Sequence, residues 1–274
     1  MLKNRILLLL ISILVVVLLF QLPKSVVEND APVAVDSLQR VNPEQANTGN
    51  SMHSGIPVAF KKIIADYRTL WANAAEKEKK AIFADSLANR YLEAGVFDSA
   101  GWFAEDAASF FNTVNAWEKA GDAYFQAFTF AIDAQKQKTL AEKAQNFYQK
   151  VLEKQPENLV VKNNLAMTYL SSANPMQGVL MLREVLAQDP KNETALFNLG
   201  MLSIQSGQYE NAIERLQQLL VISPEHIQGN LLLGLAYMNT NQKEKARSQF
   251  EKVKKMDPDP AVQATVDSYL KDLK

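Results

Sequence analysis

Histidine, cysteine and paired carboxylates carry most chemistry at neutral pH, and this sequence offers few of them. Cysteine is absent, which removes disulfides, thiolate metal ligands and a cysteine nucleophile. The two histidines, His53 and His226, stand apart from any Glu-x-x-His pair or glycine-rich phosphate loop. Glu118 and Asp122 lie one helical turn apart and could act as acid and base. Such pairs are also common on ordinary solvated helices. No catalytic residue, cofactor or metal is therefore expected, and the chain reads as a non-enzyme. Asn192-Glu193-Thr194 matches a glycosylation acceptor, but at a helix start, where asparagine is favoured anyway.

Composition narrows the remaining classes. Of 274 residues 47% are hydrophobic and the formal net charge is −1, so the chain can build a folded body. It lacks the clustered Lys and Arg of a nucleic-acid binder, and none is expected as a partner. At the N-terminus, Lys3 and Arg5 precede an apolar run from Ile6 to Phe20, extended by Leu22 beyond Gln21. A helix over residues 6–22 spans roughly 25 Å, within the range of membrane anchors. No small-x-small cleavage site follows it, which favours an uncleaved anchor over a cleaved signal. The positive flank keeps the N-terminus cytoplasmic and sends the rest across, in a bacterium to the periplasm.

What must position any site is a repeat. Pro156, Pro190, Pro224 and Pro258 recur every 34 residues. Leu165, Leu199 and Leu233 keep the same interval, each followed by a small residue: Ala166, Gly200 and Gly234. A second small residue recurs at Ala144, Gly178, Ala212 and Ala246, and four positions later comes a bulky one: Tyr148, Leu182, Leu216 and Phe250. Apolar spacings of three and four in two runs predict a pair of amphipathic helices per unit, turning at Gly207 and Asn241. Small residues facing each other would let the two axes approach closely. The proline stops each second helix.

This pattern resembles the tetratricopeptide (TPR) repeat, specifically its membrane-anchored bacterial periplasmic members. The resemblance implies an all-α, right-handed solenoid of helix hairpins, here behind an N-terminal transmembrane helix. The chain divides into a membrane anchor (1–22), a Pro- and Asn-containing tether (23–55) and a capping helix (56–80). A TPR array of about five units follows (81–260), the last three regular, and a C-terminal capping helix closes it (261–274). In the second unit Ala144 arrives about eleven residues late, or three helical turns, so lengthened helices are expected around Phe125, Phe128, Ala131 and Leu140.

By resemblance, the first helix of each unit lines a concave groove. The lining positions are Asn163, Asn164, Met167 and Leu170; Phe197, Asn198, Met201 and Ile204; then Leu231, Leu232, Leu235 and Met238. An asparagine at the positions of Asn164 and Asn198 commonly grips a bound peptide backbone in the family. The matching cationic positions are not Lys or Arg, so capture of an acidic tail is not expected. Earlier units put Asp85, Ser86, Asn89, Glu93, Glu118, Lys119 and Asp122 on this face, suited to a basic segment or simply to solvent. The expected partners are peptide or amphipathic segments of other envelope proteins. The alternative is a homo-oligomer in which the chain is a self-associating spacer.

Overall fold

The computed structural model describes residues 55–172 and 174–273. The apolar run at 6–22, the tether up to residue 54 and His53 lie outside the described residues. Among the described residues there are twelve α-helices and no strand, and no helix is long and apolar enough to cross a membrane.

A single helix, α1 (Val58–Asn73), precedes five hairpins. These are α2 (Lys77–Glu93) with α3 (Phe97–Phe111), and α4 (Val114–Phe130) with α5 (Ala134–Lys154). Then come α6 (Leu159–Leu170) with α7 (Pro175–Gln188), α8 (Glu193–Gln205) with α9 (Tyr209–Ile222), and α10 (Ile227–Asn239) with α11 (Lys243–Met256). The last helix is α12 (Pro260–Asp272). The helix expected over 56–80 thus ends at Asn73, and residues from Lys77 onward begin the next one.

Each periodic proline sits immediately after the C-cap of a second helix. The residue it follows is forced out of helical geometry: φ/ψ is −133/69° at Gln155, −131/91° at Asp189, −125/78° at Ser223 and −125/110° at Asp257. Two residues past the proline the next helix is capped. Asn158, Asn192 and His226, 34 residues apart, accept hydrogen bonds from the backbone N–H of Val161, Ala195 and Gly229. The hairpin turns also share one solution. Gly207 has φ +71°, its N–H donates to the Ile204 carbonyl, and Gln208 donates back to Ser203, a Schellman closure. Asn241 (φ +58°) and Gly95 (φ +71°) close their helices the same way.

Close packing within a hairpin adds a second kind of contact to the expected facing of small residues. A Cβ on Gly200 would lie 2.8 Å from Leu216, and one on Gly234 2.6 Å from Phe250. On Gly121 it would meet the Tyr148 ring at 2.7 Å. The first helix's small residue is therefore a socket for the second helix's bulky one. At Gly178 small does meet small: a Cβ would come within 2.5 Å of the Ala166 carbonyl oxygen.

The second unit is enlarged as its sequence suggests: α4 and α5 have 17 and 21 residues against 13 and 14 in α8 and α9. Buried apolar side chains form three clusters. The first runs from Ile64 to Leu165, the middle one from Ala166 to Leu199, and the last from Leu196 to Leu273.

Candidate peptide-binding face

First helices of successive units touch, α4 with α6 and α8 with α10. The residues singled out from sequence lie on the first helices α2, α4, α6, α8 and α10. Met167 and Met201 are half-buried and belong to none of the three buried clusters. Ile204, Leu231, Leu235 and Met238 are half-buried and lean on the last cluster, as Leu232 does. Phe197 packs on the same cluster and stacks on His226, ring centroids 5.0 Å apart. That histidine is both the cap of α10 and a platform for Phe197. The two methionines are thus the apolar groups of this set that no buried cluster holds.

The two asparagines diverge. Asn198 is buried, with 6% of its surface exposed. Asn164 is half-buried and donates to the Tyr148 hydroxyl at 3.3 Å and to Asp122 at 3.5 Å. Asn163 turns toward the next unit, donating to Asn192 at 2.9 Å.

Around Asp122 the face becomes polar. Burial raises the Asp122 pKa and the Glu118 charge adds to this, against hydrogen bonds from Tyr148 (2.7 Å) and Asn164. Tyr148 is itself pushed up, first by burial and then by the Asp122 charge. Most other carboxylates of the early units are already occupied. Asp85 pairs with Lys119 at 2.8 Å, one unit further on, and Glu93 with Arg90 at 2.6 Å. Ser86 donates to its own helix at Ile82. Glu118 and Asp122 therefore hold what acidic character this face keeps. Sequence reasoning missed the Tyr148–Asp122–Asn164 link, because it joins three helices and no single periodicity contains it. Among the described residues no group of three His, Asp or Glu side chains is arranged to hold a metal ion.

Helical hairpins stacked in chain order, the last three capped and stopped at the same positions, define a repeat scaffold. Residues 177–220 and 203–267 match the tetratricopeptide repeat family model. Over residues 177–267 the array accordingly carries the TPR pattern. Its fold is similar to that of MamA (18% identity, TM-score 0.51), covering 64% of this chain and 91% of that one. It is similar also to MamA 41-end from Desulfovibrio magneticus RS-1 (20%, TM-score 0.52), covering 64% and 94%. A thermophilic TPR protein of Thermus thermophilus is comparable (15%, TM-score 0.52), covering 69% and 98%. No curated protein matches the sequence.

Proposed function

We propose that this protein is a membrane-tethered TPR scaffold. Residues 6–22 anchor it in the bacterial inner membrane with the N-terminus in the cytoplasm, and the array stands in the periplasm. There its first-helix face captures peptide or amphipathic helical segments of envelope proteins. The observation that carries this reading is the run of half-buried apolar side chains on α8 and α10 (Phe197, Met201, Leu235, Met238), which a partner segment would finish burying. Methionines suit such a surface because their unbranched thioethers adapt to irregular apolar shapes.

The decisive experiment places a photocrosslinker at Met201 in intact cells. A crosslink to a distinct envelope protein supports the reading. Crosslinks only between copies of the chain would replace it with a self-associating spacer. Reporter fusions at the C-terminus, active in the cytoplasm rather than outside it, would overturn the topology.

A further inference from the structure

The second helices α3 and α5 run side by side and are stitched together by charge. Asp98 pairs with Lys136, and Glu105 with Lys143 at 2.7 Å. Both pairs are 38 residues apart in sequence, and the second follows the first by seven residues on each helix. The next step of seven reaches Asn112 and Lys150, which line one open cleft of about 630 Å³ between the two helices. Here the ladder lacks its carboxylate. Asn112 is the neutral C-cap of α3, and Lys150 makes no ion pair with any described residue. Its ammonium lies 5.3 Å from the Phe147 ring centre. The cleft is lined further by buried Phe147, half-buried Trp117 and the exposed amide of Asn146. Glu105 also lines it, but its charge is committed to Lys143 and to the Tyr124 hydroxyl. Glu142, eight residues before Lys150 on α5, is set back by about 12 Å along the helix.

We propose that this cleft is a second binding site, separate from the first-helix face, for a carboxylate carried beside an aromatic group, as at the C-terminus of a peptide ending in phenylalanine. The carboxylate takes the place of the missing third acid opposite Lys150, with the amides of Asn112 and Asn146 as further donors. The aromatic group lies against Trp117 and Phe147. The volume is in the range of small-ligand sites.

The test uses the full chain in detergent micelles, labelled with 5-fluorotryptophan and followed by fluorine NMR. Of the three tryptophan signals, that of Trp117 is assigned with Trp117→Phe. The probes are acetyl-Gly-Gly-Phe with a free carboxylate, its C-terminal amide, and phenylacetate. The acid should shift the Trp117 signal saturably and the amide should not. Lys150→Gln should weaken binding by about tenfold, the loss of one charged hydrogen bond, and Lys150→Arg should retain it. Lys150 is exposed, so an unchanged circular dichroism spectrum separates lost binding from lost folding. If phenylacetate matches the peptide, the site serves free small carboxylates; if it is silent, it serves chain ends. Equal shifts by acid and amide, undiminished binding in Lys150→Gln, or no shift at millimolar peptide each overturn the proposal.

Discussion

The side-chain amide of Asn163 donates to the side-chain oxygen of Asn192 at 2.9 Å, and that same oxygen caps α8 by accepting from Ala195 N–H at 3.1 Å. One oxygen thus ties the buried face of one unit to the helix start of the next.

Asn192→Ala should cost more than Asn158→Ala, although both remove a cap worth about 1 kcal/mol. The difference arises because Asn163 is buried (3% exposed) and its amide would be left without an acceptor, adding about 1–3 kcal/mol. Denaturant titration of the two variants checks this; equal costs would refute the shared-oxygen role.

Gly234→Ala and Gly207→Ala separate two uses of glycine. At Gly234 the added carbon collides with the Phe250 ring, and overpacking of this kind costs about 1–3 kcal/mol. At Gly207 nothing lies within 4 Å, so only the left-handed φ is penalised, by about 1 kcal/mol. Pairing Gly234→Ala with Phe250→Leu should recover part of the loss, whereas no side-chain change should rescue Gly207→Ala.

Two pH dependences have defined signs. Asp122 holds its proton more tightly folded than unfolded, so stability falls as pH rises above the unfolded carboxyl value of about 3.9 toward the higher folded one. Asp122→Asn keeps an acceptor for Tyr148 and should flatten that decline and raise stability at neutral pH. Tyr124 and Tyr148 are likewise raised, chiefly by burial, so their contribution is present below about pH 10 and lost above it. Unfolding curves from pH 8 to 12 should show a smaller alkaline loss in Tyr148→Phe.

Capture of a partner by the first-helix face should show a negative heat-capacity change and little dependence on salt. Met201→Asp should abolish it while helicity is retained. Strong weakening by salt in calorimetry would instead place the contact near Glu118 and Asp122.

The repeat was legible because backbone constraints recur with it. Pro156, Pro190, Pro224 and Pro258 announce four helix ends, and Gly207 and Asn241 two turns, since each residue type acts on its own φ and ψ. The late arrival of Ala144 likewise announces the length of α4 and α5. Partners across space were not legible in this way. Gly200 and Gly234 show that a position must be small without saying that Leu216 and Phe250 fill it. Asp85 and Lys119 keep the 34-residue interval, yet charge on a helix face reads equally as solvated. The Asp98–Lys136 and Glu105–Lys143 ladder stayed hidden because the enlarged unit shifts its spacing to 38. The lining positions could be set out from the repeat, but how far each is available depends on neighbours such as His226 under Phe197.

Because the buried side chains fall into three clusters, this chain should come apart piecemeal. A stacked array is held by its nearest neighbours, so loss of order at the Leu273 end need not reach Ile64. Limited proteolysis during gentle heating should then release an amino-proximal fragment that stays resistant after the carboxy-terminal units have been digested.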